Sequence, residues 1–122
     1  MANAPEPLSS VGFEQFTNLD LRVATITQVE LHPNADRLLK IQLDDGTPEG
    51  RQVCAGIKDW YEREALVGTQ VVIVANLEPR TIRGEISQGM IMAGTAVAED
   101  GQKGDVCVLR VDRPLPPGSK VS

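Results

Sequence analysis

The stretch Val71-Val-Ile-Val-Ala-Asn76-Leu-Glu-Pro-Arg80-Thr-Ile-Arg83-Gly-Glu-Ile-Ser87-Gln-Gly-Met90-Ile-Met-Ala93 decides how this chain is read. It opens on an apolar, β-branched run, Val71–Ala75, of the kind that builds a buried strand, and closes on a second, Met90–Ala93. Between them lie two arginines three positions apart, Gly84 and a Ser87-Gln88-Gly89 turn. The pattern predicts a loop held by two strands, presenting guanidinium and amide donors outward. Donors fixed on a rigid frame are how proteins hold phosphate and sugar.

Outward from that stretch the pattern is mostly strand. Leu21–Leu31 alternates, which predicts a long strand with Leu21, Val23, Thr25, Thr27, Val29 and Leu31 on one face. His32-Pro-Asn-Ala-Asp36 ends it as a turn. Leu38–Leu43 is a second strand, closed by a tight Asp44-Asp45-Gly46 turn, and Gln52–Ile57 a third, so the three form a meander. Lys58–Leu66 has helical composition and Gly68 suits its C-cap. Thr69–Ala75 is the fourth strand and Met90–Val97 the fifth. A turn at Glu99–Gly104 and a strand at Val106–Val111 precede the Pro-rich end. Gly12–Phe16 reads as a helical turn whose Phe13 and Phe16 share a face and cap a barrel end. Residues 1–12, rich in Pro, Ser and Ala, read as a disordered leader to a single domain over 13–122.

Three strands, a short helix and two more strands is the order of an OB-fold barrel. The expected class is all-β, a five-stranded OB-fold barrel with short helices and extra C-terminal strands. Apolar strands left over after a barrel closes leave an edge that a second copy can cover, which predicts a homodimer.

Composition is that of a globular domain, 41% hydrophobic and 24% charged. With no basic, apolar N-terminal segment and no membrane-length run, the expected location is cytoplasmic, with no membrane contact. Cys54 and Cys107 alternate within apolar strands and are expected to be buried thiols. A net charge of −5 argues against indiscriminate binding to nucleic acid. The acid is concentrated in residues 1–45, at −4, whereas Pro79–Gly94 carries +1. An anion is therefore weakly favoured at the loop alone.

Single-strand-binding OB folds stack bases on aromatic rings. The four aromatics here, Phe13, Phe16, Trp60 and Tyr61, all fall outside the central strands. The expected target is a folded RNA, recognised by backbone and shape.

In order, DLRVATI, HPNADRLLKIQLDDG, RQVCAGI and NLEPRTIRGEISQGMIMAG resemble the tRNA-binding domain found in several settings. These are the C-terminal extension of bacterial methionyl-tRNA synthetases, free-standing tRNA-binding proteins, the CsaA export chaperone and EMAP-II-like cytokine precursors. The resemblance covers about residues 13–122 and is most specific at Asn76-Leu77, Pro79, Gly84, Ser87 and Gly89-Met90. It implies an OB barrel that dimerises through C-terminal strands and binds structured tRNA without choosing an amino-acid type. It places RNA contacts at Asn76, Arg80, Arg83, Ser87, Gln88 and Met90. An aminoacyl-tRNA synthetase is the implied further partner, and no cofactor or metal is implied.

On their own chemistry, Arg80 and Arg83 suit neighbouring phosphates, or else solvated pairing with Glu78 and Glu85. Asn76 either caps the turn or reads a ribose or base edge. Ser87-Gln88-Gly89 offers a hydroxyl, an amide and an open backbone, or is an ordinary turn, and Met90 is a core residue by default. His32 with Asp36 fits a turn better than a metal or acid–base pair. No nucleophile turn or glycine-rich phosphate loop is present, so a non-catalytic module is expected. The alternative is a CsaA-like chaperone that binds unfolded polypeptide. A stand-alone protein and a detached synthetase domain both remain open, the leader favouring the first.

Overall fold

A computed structural model describes residues 4–122, so Met1-Ala2-Asn3 of the expected leader lie outside the described residues. Residues 4–12 are exposed and carry no helix or strand. The elements that follow are α1 (Phe13–Phe16), β1 (Leu21–Leu31), β2 (Leu39–Asp44), β3 (Arg51–Ala55), α2 (Arg63–Leu66) and β4 (Gln70–Val74). Then come β5 (Arg80–Ile82), β6 (Glu85–Ser87), β7 (Met90–Ile91), β8 (Ala93–Val97), β9 (Lys103–Val108) and β10 (Lys120–Val121).

The strands β3-β2-β1-β4-β7 pair antiparallel in that order, with β10 added on β1. The result is a nearly closed, five-stranded OB-like barrel. Alternation places Leu39, Ile41 and Leu43 of β2 and Val53 of β3 inside, all 2% exposed or less. Leu66, the one buried residue of α2, plugs the core.

Register in β1 departs from simple alternation. Ile26 pairs with Leu43 but Gln28 with Gln42, a bulge that leaves Thr27 extra and switches the inward parity. The core therefore receives Ala24, Ile26 and Val29 rather than the odd-numbered set; Thr27 and Leu31 are exposed. Leu21 and Val23 are buried outside that core cluster, where the C-terminal segment covers them. There the Val23 amide donates to Ser119 O (2.8 Å), and its carbonyl accepts from Gly118 N (2.7 Å).

Other expectations change with tertiary context. The Asp-Gly turn is longer than expected, with residues 45–50 connecting β2 to β3. The helix over 58–66 shrinks to α2, because Trp60 and Tyr61 are drawn onto the core and the backbone is extended at Glu62. The Tyr61 hydroxyl accepts from Val108 N at 3.0 Å, and Lys103 Nζ lies 5.0 Å above the Trp60 ring. These two contacts fasten the β8–β9 hairpin to the barrel. The expected fifth strand is divided: β7 pairs with β4, and β8 pairs with β9. Since Val106 and Val108 take the inward face of β9, Cys107 is exposed rather than buried. Phe13 and Phe16 do not cap the barrel; α1 has no buried residue, and the two rings lean on one another at 6.3 Å. Among the described residues, no helix is long and apolar enough to cross a membrane.

Candidate nucleic-acid interface

Beyond β4 the chain leaves the barrel as an arm. Its root is fastened by Asn76, whose Oδ1 accepts from Asp20 N (2.8 Å) while Nδ2 donates to Asn18 O (2.7 Å). The arm is a hairpin rather than a loop: β5 and β6 pair antiparallel, with Arg80 opposite Ser87 and Ile82 opposite Glu85. Its two-residue turn, Arg83-Gly84, has positive φ at both positions, 49° and 91°. That pair of signs is the requirement of a type I′ hairpin turn, normally met by Asn-Gly. An arginine in the first position masks the signal in the sequence.

The barrel closes where the arm returns, and side chains make the seam. Ser87 Oγ accepts from Cys54 N (3.0 Å) and donates to Gly89 O (3.2 Å). Gln88 Oε1 accepts from Gln52 N (2.9 Å), and Gln88 N donates to Gln52 O (2.7 Å). Gln52 Nε2 adds a bond to Ile86 O (2.8 Å). Arg51 locks the corner: its Nη1 donates to Ala75 O (2.9 Å) and Gln88 O (2.7 Å), and its Nε to Asp45 Oδ2 (3.0 Å). Gly89, at φ +122°, passes so close to β4 that an added Cβ would lie 2.6 Å from Val74 O. The side chains of Asn76, Ser87 and Gln88 thus have internal partners, and Ser87 is buried.

The two arginines are different. Among the described residues, neither guanidinium has an ion-pair or hydrogen-bond partner, and both side chains are exposed. Glu85 is held instead by Lys40 (3.2 Å), which also lies 3.9 Å from Glu30. The hydrogen bond to Glu85 raises the Lys40 pKa above its usual 10.5, against a smaller desolvation effect. This pairing engages the arm's own Glu85 carboxylate with Lys40 rather than with Arg80 or Arg83.

Arg80 lines a pocket of about 150 Å³ with Cys54, Leu77, Glu78, Ile82 and Met90. Met90 is 47% exposed there, so its side chain belongs to this surface more than to the core. Burial pushes the Cys54 thiol above its ordinary 9.0, Glu85 adding to the shift and Lys40 opposing it. Arg83 faces a separate groove with Asn34, Asp36 and Arg37. His32 is buried and spans the two parts: one ring nitrogen, Nε2, bonds Ile82 O at 2.8 Å, and Nδ1 accepts from Asn34 N at 3.0 Å. It is a latch between turn and arm. Of the six expected contact residues, Asn76, Arg80, Arg83 and Met90 are exposed, but the Asn76 amide is already engaged by Asn18 and Asp20. Arg37, Arg51 and Asn34 meet the arm only through long-range folding, which no local pattern in the sequence signals.

Comparison with known proteins bears on the family and the fold. A family model described as "Putative tRNA binding domain" matches residues 21–120. A methionine–tRNA ligase of Thermococcus kodakarensis is 46% identical over 111 residues, which are 91% of this chain but only 14% of that enzyme. The crystal structure of the chaperone CsaA from Bacillus anthracis has a TM-score of 0.77 at 34% identity, covering 93% of this chain and 100% of that one. A MetRS-related protein from Pyrococcus horikoshii has a TM-score of 0.80 at 28% identity, covering 94% and 100%.

Proposed function

We propose, from the premise that this chain belongs to the tRNA-binding domain family, that it is a non-catalytic module binding structured tRNA. The observation that carries this is the pair of unpartnered guanidiniums, Arg80 and Arg83, held on a hairpin bolted to a barrel. Fixed cations of this kind contact phosphate without reading sequence. The remaining members of the set act through placement: Asn76 roots the arm, Ser87 and Gln88 seal it, and Met90 offers apolar contact beside Arg80.

One arm with two free cations on a chain of −5 binds weakly. A homodimer presents two arms to one tRNA and raises the effective concentration of the second contact. Support comes from β8, whose Ala93, Gly94, Thr95 and Ala96 are exposed and uncharged, an edge open to strand pairing. The cellular role is to add tRNA affinity to a methionyl-tRNA synthetase, as its C-terminal or beta-subunit domain.

The test is filter binding of mixed tRNA across a salt series, with particle mass measured in parallel. Arg80→Ala weakens binding and lowers the salt slope by about one. An unchanged affinity and slope for the Arg80→Ala, Arg83→Ala double variant would sink the assignment.

The likeness to the CsaA chaperone favours a second reading, capture of unfolded polypeptide. Leu77, Ile86 and Met90, each 42–47% exposed around the arm, supply apolar surface for it. Suppression of client aggregation that survives loss of both arginines would support this reading over the first.

A further inference from the structure

The groove beside the hairpin tip suggests a second contact, which rests on the tRNA-binding reading. We propose that Arg37 and Arg83 form a two-sided clamp for one RNA phosphate, with Arg37 as an RNA-contacting residue outside the arm. Both line the same groove of about 370 Å³, entering from different parts of the chain. Both are exposed and, among the described residues, neither guanidinium has an ion-pair or hydrogen-bond partner.

Two features make this a built site rather than a chance meeting of surface charges. The groove walls are tied together: Asn34 Nδ2 donates to Arg83 O (3.0 Å), and His32 bonds Ile82 O (2.8 Å). The spacing of the guanidinium roots is thus set before ligand arrives, which lowers the ordering cost on binding. The second feature is backbone strain. Arg83 is the one non-glycine residue with positive φ among the described residues. Asn would occupy this first turn position at lower cost. An arginine held in a disfavoured conformation at a groove mouth, opposite another free arginine, points to use of its side chain.

The carboxylate of Asp36 also lines the groove and has no ion pair among the described residues. It opposes an anion and limits affinity, so its removal strengthens the site. Planar guanidiniums approaching one phosphate from two sides can share its oxygens, a geometry one lysine cannot supply.

The experiment measures binding of mixed tRNA to the full chain over a salt series for the parent, Arg37→Ala, Arg83→Asn, their double variant, Asp36→Asn and Arg80→Ala. Arg37→Ala and Arg83→Asn each weaken binding roughly 3- to 10-fold, and only their double variant, which frees the shared phosphate, reduces the salt slope by about one. Arg83→Asn melts at or above the parent, because Asn-Gly relaxes the turn, so its lost affinity is not unfolding. The double variant loses less than the product of the single effects, since both groups act on one phosphate. Asp36→Asn tightens binding. If Arg80→Ala weakens binding but Arg37→Ala leaves affinity at the parental value, the clamp is overturned and the arm assignment stands. Fully multiplicative losses also overturn it, by placing the arginines on separate phosphates. A parent that fails to bind tRNA overturns both readings.

Discussion

Ser87 Oγ lies 3.0 Å from the amide nitrogen of Cys54, 33 positions earlier, and accepts the hydrogen bond that a neighbouring strand's carbonyl would take in a fully laddered barrel. Ser87→Ala removes that acceptor and leaves a sheltered N–H without a partner. The expected loss is about 1–3 kcal/mol, read as a lower melting temperature and faster hydrogen exchange at the Cys54 amide. The salt slope of tRNA binding should not move, because no phosphate contact is lost. A changed slope at unchanged stability would make Ser87 an RNA contact instead of a seal.

Two glycines of the arm separate backbone strain from collision. At Gly84 an added Cβ meets only the Asn34 side-chain nitrogen, at 3.6 Å, whereas at Gly89 it meets Val74 O at 2.6 Å. Gly84→Ala costs the positive φ alone, about 1–3 kcal/mol. Gly89→Ala adds displacement of β4 from the seam and is the more damaging change. Thermal melts of the two variants should fall in that order; the reverse order would contradict the packing at Gly89.

Acid stability should depend on Asp45. Burial alone would push its carboxyl up, but hydrogen bonds from the Thr47 hydroxyl and amide and from Arg51 outweigh it and hold the carboxyl below the usual 3.8. A group depressed on folding binds fewer protons in the native state. Its stabilisation is therefore complete above about pH 3.8 and is lost as the pH falls through the lower, folded value. Asp45→Asn should be less stable at neutral pH and show a shallower further loss in acid. Parallel acid limbs for variant and parent would rule this out.

Cys54 offers a probe of the arm from within. With its thiol held above 9.0 by burial, alkylation should be slow at neutral pH and accelerate only in strongly alkaline buffer. Because Cys54 lines the Arg80 pocket, bound tRNA should slow labelling further. Mass spectrometry of labelled peptides with and without tRNA checks this, and equal rates would place the RNA elsewhere.

Much of the barrel is legible in the sequence because it follows local rules. The alternation at Leu39, Ile41 and Leu43 and the all-buried Val71–Val74 run show where β2 and β4 lie before any pairing is known. What is not legible depends on partners distant in the chain. Nothing near Thr27 announces the bulge that moves the inward face onto Ala24, Ile26 and Val29, because pairing with β2 creates it. Asn76 looks equally suited to ligand or turn until its bonds to Asn18 and Asp20, 58 and 56 positions away, are seen. Arg80 and Arg83 stand out in sequence as exposed cations. Arg37 does not, because its relation to Arg83 exists only after His32 and Asn34 bring the turn against the arm.

The seam bears on how this domain could be re-engineered or diversify. Residues 80–87 form their own two-stranded sheet and share no strand ladder with the barrel. The closing bonds belong chiefly to Arg51, Gln52, Ser87 and Gln88 on either side of the seam. The hairpin is therefore an exchangeable cassette, whose ligand-facing residues can drift or be grafted while the fasteners stay in place. On the proposed assignment, the phosphate-contacting residues and the fold-closing residues are largely separate, so a new target can be selected for without first rebuilding the core.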